Sequence, residues 1–217
     1  MDSLGSARLY AILDLGYVAL DDAERVAQDL LRGGADLIQL RAKNLGTDKI
    51  RRLAEQLHRL TSEAGVPLII NDHAEIARDL PVEGLHFGQD DISIAKAREI
   101  VGQKNILIGK STHSLAQATA AVAEGADYIG FGPLFATPTK PDYQPIGLDE
   151  IGRVYELVRL PIFCIGGIKL ENLPQVIAAG AQRVVIVSGL LNSADIAAAA
   201  RAAKALLNPQ NAIPISH

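Results

Sequence analysis

Short apolar runs alternate along the chain with longer segments whose apolar residues recur at helical spacing. The runs are rich in Leu, Ile and Val, and most are bounded by Gly, Pro, Asn or Asp, as is typical of buried parallel strands. Eight strands are predicted, at residues 8–13, 37–40, 67–71, 84–87, 105–111, 128–131, 161–165 and 183–187. The alternation of strands with helices predicts a parallel sheet covered by helices.

The segments between the strands have the apolar faces of amphipathic helices. Three such faces are formed by Ala23, Val26, Ala27, Leu30 and Leu31, by Ile50, Leu53, Leu57 and Leu60, and by Ile151, Val154, Leu157 and Val158. Two helix starts have the spacing of a capping box, which pairs Asp21 with Glu24 and Ser114 with Gln117. The helix after Asn71 is predicted to be short.

One kind of junction leads from helix to strand at three places, 34–36, 125–127 and 180–182, where Gly-Ala is followed by Asp or Gln. A glycine at the end of a helix takes the left-handed conformation that stops it. Eight units without a linker predict closure into a (β/α)8 TIM barrel, a single catalytic domain over residues 1–207. A doubly wound open sheet is the alternative, and residues 208–217 are predicted to be a frayed tail.

Composition narrows the class of protein. The 217 residues are 48% hydrophobic with a net charge of −4, so nucleic acid is not an expected partner. The one cysteine, Cys164, lies in an apolar run and is expected to be buried rather than nucleophilic. No signal-like segment or membrane-spanning stretch is found, so we expect a cytoplasmic protein without a membrane partner, and homo-oligomerisation stays open.

The carboxyl ends of all strands meet at one face of a barrel, and polar residues past those ends are expected to form the site. These residues are Gln39, Arg41 and Lys43 after strand two, Asn71, Asp72 and His73 after strand three, His86, Gln89, Asp90 and Asp91 after strand four, and Ser111, Thr112 and His113 after strand five. Strand six is followed by Thr137-Pro-Thr-Lys140, whose hydroxyls and ammonium suit a phosphorylated ligand. A structured loop with a solvated lysine is the alternative.

Glycine turns follow strands seven and eight. Gly166-Gly167 and Ser188-Gly189 each lead into a helix, where glycine lets a phosphate approach backbone N–H groups and the helix start adds partial positive charge. These positions are typical of the phosphate site of barrel enzymes. The alternative is that the glycines serve only tight turns.

Two aspartates are candidate metal ligands. Asp72 and Asp91 follow neighbouring strands, so their carboxylates are expected to face one another. Mg²⁺ is the expected metal because it binds through one or two carboxylates, waters and substrate phosphates. Each aspartate is alternatively a helix N-cap, and Asp90 competes with Asp91 for either role. His73, His86 and His113 are either acid–base groups or hydrogen-bonding residues, since spacing does not decide between these roles.

The motifs form an ordered set from the second strand to the eighth. They are Gln39-Leu-Arg-Ala-Lys43, Asn71-Asp72, Gly84-Leu-His-Phe-Gly-Gln-Asp-Asp91, Ser111-Thr-His113, Gly130-Phe-Gly-Pro133 with Thr137-Pro-Thr-Lys140, Ile165-Gly-Gly-Ile168 and Val187-Ser188. As a set they resemble the thiamine-phosphate synthase family, which is related to thiazole tautomerase. The resemblance implies a transferase of barrel fold that condenses 4-amino-2-methyl-5-(diphosphooxymethyl)pyrimidine with hydroxyethylthiazole phosphate, or its carboxylated form, by Mg²⁺-assisted dissociative displacement of pyrophosphate.

The resemblance also implies a role for each matching residue. The pyrimidine diphosphate would be held by Gln39, Leu40, Arg41, Ala42, Lys43, Asn71, Ser111 and Lys140, of which Arg41, Lys43, Ser111 and Lys140 would act in catalysis. The thiazole phosphate would be held by Thr137, Thr139, Gly167, Val187 and Ser188, and Mg²⁺ by Asp72 and Asp91. The expected partners are therefore small phosphorylated substrates.

Three residues depart from the family pattern, and two other functions stay open. Ala42 stands where an acidic residue is common, His73 where arginine is common, and Gly189 where alanine is common. A thiazole tautomerase relies on a histidine near the end of strand five, which His113 would supply, but it does not need the metal and diphosphate residues. A non-catalytic barrel that binds a phosphorylated ligand is the other alternative.

Overall fold

The chain forms a closed barrel of eight parallel strands, as seen in a computed structural model that describes residues 4–137 and 144–208. The strands are β1 (Leu9–Asp14), β2 (Leu37–Arg41), β3 (Leu68–Asn71), β4 (Gly84–Phe87), β5 (Leu107–Thr112), β6 (Tyr128–Phe131), β7 (Ile162–Cys164) and β8 (Val184–Ile186). They pair in chain order, and β1 also pairs with β8. The predicted barrel is confirmed, and the open sheet is excluded because both of its edges would have to stay unpaired.

Helices cover the outside of the barrel. They are α1 (Ala23–Arg32), α2 (Thr47–Glu63), α3 (Ala74–Asp79), α4 (Ile94–Val101), α5 (Leu115–Ala123), α6 (Glu150–Leu157), α7 (Leu173–Ala178), α8 (Ser188–Leu191) and α9 (Ile196–Leu206). The helix after Asn71, α3, is short, as predicted. Within the described part of the chain, no helix has both the length and the apolarity needed to cross a membrane.

The predicted helix faces are buried or partly buried, and one of their residues is exposed. Most of the residues named on the faces of α1 and α2 are buried against the strands. Leu157 is the exception, since it is the last residue of α6 and its side chain is 58% exposed. The backbone of Val158 is already extended, so this side chain turns inward and is buried in place of Leu157.

One of the two predicted capping boxes is present in part, because its reciprocal bond goes to the residue before the cap. Ser114 caps α5 by accepting the backbone N–H of Gln117 at 3.2 Å, and the Gln117 amide oxygen accepts the N–H of His113 at 2.7 Å. The box predicted from Asp21 and Glu24 is wrong. Residues 20–22 form a 3-10 turn, so α1 starts one residue later than a cap at Asp21 requires.

The aspartates of the repeated junctions fasten the amino-terminal ends of neighbouring strands. Asp36 accepts the backbone N–H groups of Arg8 and Leu9 at 2.8 and 2.9 Å. Asp127 in the same way accepts the N–H of Ile108 at 2.7 Å. These N–H groups lie at or near strand starts, so the junction motif stabilises the end of the barrel opposite the predicted site.

One hydrophobic layer lies outside the strands and another lies inside the barrel. The larger lies between strands and helices and contains Cys164, which is buried as predicted, and burial raises the pKa of its thiol to about 12. The smaller fills the barrel interior around Tyr10, Tyr128 and Phe163. A Cβ atom at Gly109 would lie 2.1 Å from the Tyr128 ring, so glycine at this position makes room for the tyrosine. The interior is therefore packed around aromatic rings, two of which, those of Tyr10 and Tyr128, carry hydroxyl groups.

Candidate active site

A cavity opens at the carboxyl-terminal end of the barrel, and the empty space in and above it, including the part continuous with solvent, is about 780 Å³. Eight residues predicted to bind substrate line it: Gln39, Arg41, Asn71, Ser111, Thr137, Gly167, Val187 and Ser188. They lie on β2, β3 and β5, in the loops after β6 and β7 and directly after β8, so Gln39 and Ser188 meet although most of the chain lies between them. The cavity is therefore where the predicted ligands of both substrates meet.

Three further predicted substrate ligands are described and do not line the cavity with their side chains. The side chains of Leu40 and Ala42 pack in the hydrophobic layer outside the strands, so a ligand in the cavity would meet only their backbone. Lys43 is on the rim and is 46% exposed. Thr139 and Lys140 lie outside the described residues, as does nearly all of the predicted 208–217 tail.

A buried ion pair forms one wall of the cavity. Arg41 donates from Nη1 to Oδ2 of Asp14 at 2.5 Å, and the Asp14 side chain is almost fully buried. The second carboxylate oxygen accepts the backbone N–H of Gly16 at 2.9 Å. Both oxygens of Asp14 are thus engaged, and the guanidinium is held at the cavity wall. The sequence analysis missed Asp14 because the apolar run that predicted strand one ends a residue earlier.

Asp72 and Asp91 meet at the rim beside the cavity. Lys43 forms an ion pair with Asp72 at 2.5 Å, and the Asp91 carboxyl lies close enough to Asp72 to raise the pKa of that aspartate. Burial raises the pKa of Asp72, the adjacent Asp91 carboxyl raises it further, and Lys43 opposes both effects. The Asp72 backbone is left-handed at φ 66°, a conformation that non-glycine residues adopt at some cost and that often marks a functional loop.

This carboxylate pair fits Mg²⁺. Asp91 is half-buried and accepts the Gly88 N–H at 2.6 Å, whereas Asp90 is exposed, so the geometry favours Asp91 as the partner of Asp72. In the described ranges no group of three or more His, Cys, Asp or Glu side chains is arranged to hold a metal. A site with two carboxylates leaves most positions for water and substrate oxygens, as Mg²⁺ prefers.

Each glycine turn packs against the loop that follows the preceding strand. A Cβ atom at Gly167, which has φ 65°, would lie 2.7 Å from the Phe135 Cβ and 2.8 Å from the Ala136 oxygen. A Cβ at Gly189 would lie 2.7 Å from the Ile168 oxygen, so the glycine that departs from the family pattern is required by this contact. The packing holds the backbone around Gly167 and Ser188 close to the cavity.

A chain of polar side chains crosses the barrel beneath the cavity. Gln39 donates from Nε2 to the Tyr10 hydroxyl at 2.6 Å, and that hydroxyl is 3.1 Å from the hydroxyl of Tyr128. Tyr128 lies 3.2 Å from His86 Nδ1, and His86 Nε2 lies 2.9 Å from Ser111 Oγ. The sequence analysis missed both tyrosines because it considered polar residues only past the strand ends.

The remaining histidines take different positions. His113 lines the cavity, and its Nδ1 is hydrogen-bonded to the backbone oxygen of Gly132. His73 lies beside the metal loop and pairs with Glu75 through Nδ1 at 2.9 Å. His73 therefore pairs with a residue of the helix that it precedes, and this pair does not involve Asp72.

The chain is similar to known proteins over nearly its whole length. The family model of thiamine monophosphate synthase matches residues 9–190. The thiamine-phosphate synthase of Chloroflexus aurantiacus is 42% identical over 202 residues, covering 93% of this chain and 93% of that protein. The synthase of Shouchella clausii is 38% identical over 196 residues, covering 90% and 93%.

A solved structure agrees with these relatives. The thiamine phosphate pyrophosphorylase from Pyrococcus furiosus superimposes with a TM-score of 0.85 at 30% identity, and the match covers 94% of this chain and 96% of that one. The family suggested by the ordered motifs is thus confirmed by three independent comparisons. Because the family model matches the chain from β1 into α8, the chain belongs to the thiamine monophosphate synthase family.

Proposed function

We propose that this protein is a thiamine-phosphate synthase, a transferase that joins the pyrimidine diphosphate to a thiazole phosphate and releases pyrophosphate. The observation that carries the proposal is the cavity where Gln39, Arg41, Asn71 and Ser111 face the glycine turns of the last two strands. An aminopyrimidine needs hydrogen-bonding groups, and two phosphorylated substrates need two anion sites. Both kinds of group line this cavity.

The pyrimidine diphosphate would bind on the side of β2 to β5. Gln39, Asn71 and Ser111 offer amide and hydroxyl groups toward the ring and the bridging oxygens. Arg41 and Lys43 supply positive charge for the diphosphate, and each is paired with an aspartate in the ligand-free protein. The Asp14 pair keeps the guanidinium at the wall, so its position is fixed before the substrate arrives.

Mg²⁺ would be held by Asp72 and Asp91. The two carboxyl groups lie close enough together to interact, and Asn71, the neighbour of Asp72, lines the cavity, so a cation held by the pair would lie beside the diphosphate. The ion would act as a Lewis acid that neutralises charge on the leaving pyrophosphate. Lys43 would then be available to the diphosphate, because its partner Asp72 would be engaged with the metal.

The thiazole phosphate would bind at the turns after β7 and β8. Gly167, Val187 and Ser188 line the cavity there, and Ser188 begins α8, where backbone N–H groups have no partner inside the helix. Thr137 reaches the same cavity from the loop after β6. We assign Thr139 to the same phosphate and Lys140 to the departing pyrophosphate on the family motif alone.

The reaction exchanges one bond for another. The bond between the pyrimidine methylene carbon and the diphosphate oxygen breaks, and its electron pair leaves with pyrophosphate. The ring amino group stabilises the carbocation, and the lone pair of the thiazole nitrogen forms the new carbon–nitrogen bond. No oxidant or covalent enzyme intermediate is needed, so the side chains orient the substrates and stabilise the leaving charge.

The carboxylate pair and the two cations favour the synthase over the tautomerase, which has no diphosphate to ionise. A protein that only binds its ligand would need no cations whose attraction to the pyrophosphate grows as the carbon–oxygen bond breaks. Multiply charged substrates do not cross membranes unaided, so we also propose that the reaction takes place in the cytoplasm.

Pyrophosphate release tests this proposal. The purified protein is incubated with the pyrimidine diphosphate and Mg²⁺, with and without hydroxyethylthiazole phosphate, and both pyrophosphate and thiamine phosphate are quantified. The synthase releases equimolar products, at a rate that rises strongly when the second substrate is present. Isomerisation of a carboxylated thiazole phosphate without pyrophosphate would identify a tautomerase. Tight binding of thiamine phosphate with no turnover in either assay would identify a binding protein.

A further inference from the structure

Counting protons from Gln39 onward gives one direction of donation along the hydrogen-bond chain beneath the cavity. Gln39 donates to the Tyr10 oxygen, so the single Tyr10 proton is available for the Tyr128 oxygen at 3.1 Å. Tyr128 in turn has one proton and two nearby acceptors, His86 Nδ1 at 3.2 Å and the Leu85 oxygen at 3.4 Å. A separation of 3.4 Å is long for an O–H···O bond, so the proton goes to His86.

The direction of the chain fixes the tautomer of His86. A neutral imidazole carries one proton, and if Nδ1 accepts from Tyr128 the proton is on Nε2. Nε2 is 2.9 Å from Ser111 Oγ, so His86 donates to the serine oxygen. The serine proton is then directed away from His86, and Ser111 lines the cavity.

We propose that Tyr128 and His86 are positioning residues which hold Ser111 as a hydrogen-bond donor toward the diphosphate substrate. The proposal rests on the function proposed above, because it assigns the ligand of Ser111. A phosphate oxygen only accepts hydrogen bonds, so a serine whose proton pointed to His86 would turn a lone pair toward negative charge. The chain prevents that arrangement before the substrate binds.

The surroundings keep the chain in this state. Both tyrosines are fully buried, and burial raises the pKa of each hydroxyl, so both protons are retained at any pH at which the protein works. The rings of Tyr10, Tyr128 and Phe163 pack edge to face, with centroids 5.3 to 6.0 Å apart. This packing limits the directions that the hydroxyls can take.

The tautomer is measurable without any substrate. Long-range ¹H–¹⁵N correlation spectra of histidine-labelled protein at pH 8 distinguish a proton on Nε2 from one on Nδ1, and a His86→Asn variant assigns the signal. We expect the Nε2–H form in the parent protein and an increased Nδ1–H population in Tyr128→Phe. An Nδ1–H form in the parent, or an unchanged spectrum in Tyr128→Phe, would overturn the proposal.

Kinetics supply the second readout, with a matched control. Tyr128→Phe removes one buried hydroxyl near the site, and Tyr155→Phe removes a hydroxyl outside the cavity lining, which donates to the Ile162 oxygen and accepts the Gln182 N–H. Loss of one aligned hydrogen bond predicts a fall of about tenfold in kcat/KM for the pyrimidine diphosphate in Tyr128→Phe. The control should stay within about twofold.

A double variant separates positioning from loss of structure. If Tyr128 acts through Ser111, Tyr128→Phe should slow the Ser111→Ala enzyme no further, since interacting residues are not additive. Multiplied losses, or equal rates for Tyr128→Phe and Tyr155→Phe, would contradict the proposal. If the proposed function is wrong, the parent protein releases no pyrophosphate. The tautomer measurement uses no substrate, so its outcome is independent of that result.

Discussion

Replacement of Gly167 by alanine tests whether the glycine turn after β7 is built for close approach. The residue has φ 65°, and a new Cβ would lie 2.7 Å from the Phe135 Cβ and 2.8 Å from the Ala136 oxygen. Both contacts are shorter than real Cβ contacts, and neither atom is the flexible end of a side chain. The turn after β7 or the loop after β6 must therefore move.

Gly65 is a matched control for this change. It has φ 66°, lies in the loop between α2 and β3, and has no atom within 4 Å of a Cβ position. Gly65→Ala should therefore cost only the left-handed conformation, about 1 kcal/mol of unfolding free energy. Gly167→Ala should cost the same plus about 1–3 kcal/mol for overpacking. The difference between the variants isolates the contact with the loop after β6.

Urea unfolding measures the two stabilities, and steady-state kinetics measures the effect on the site. Gly167→Ala should raise KM for the thiazole phosphate about tenfold or more, because a small displacement misplaces backbone N–H groups. KM for the pyrimidine diphosphate should stay within about twofold of the parent value. Equal stability losses in the two variants, or an unchanged thiazole KM in Gly167→Ala, would refute the reasoning.

Three further predictions concern charge. Asp91→Ala should abolish Mg²⁺-dependent turnover with little change in Tm, and full activity of the parent enzyme in excess chelator would contradict this. Mg²⁺ affinity of the parent protein, measured by calorimetry, should fall as the pH is lowered through the raised pKa of Asp72, because a proton then competes with the metal. Ser188→Asp should raise KM for the thiazole phosphate alone by like-charge repulsion, and equal weakening of both substrates would argue against separate phosphate sites. Lys140→Ala should lower kcat about 100- to 1000-fold, whereas the exposed Lys49→Ala should not, and a fast Lys140→Ala enzyme would remove this lysine from catalysis.

Local patterns were sufficient to predict the fold. Strand positions followed from apolar runs, and the junctions before β2 and β6 marked where helices end because only a few residues tolerate the backbone required there. Closure followed from the number of units. Leu157 and the cap at Asp21 could not be predicted in this way, since helix ends depend on where the next element packs.

The site was predictable where polar residues lie in the carboxyl-terminal part of a strand or just past it, and not where they lie deeper in the barrel, as Tyr10 and Tyr128 do. Gln39, Arg41 and Ser111 were found because they are polar residues near the carboxyl ends of β2 and β5. Asp14 was missed, although it ends β1, because the apolar run that predicted this strand stops at Leu13. Lys110 is buried on β5 next to the inward-facing Gly109, so its side chain points to the outer layer and Lys110→Ala would be a poor kinetic control for Lys140→Ala.

The central claim is that one cavity holds the diphosphate beside Asp72 and Asp91 and the thiazole phosphate beside Gly167 and Ser188. A crystal structure of the protein with thiamine phosphate, pyrophosphate and Mn²⁺ in place of Mg²⁺ measures this directly, because Mn²⁺ is located by its anomalous scattering. The account predicts a metal peak in contact with both aspartates and the thiazole phosphate on the Ser188 backbone. A metal peak away from both carboxylates, or a thiazole phosphate bound outside the cavity, would contradict it.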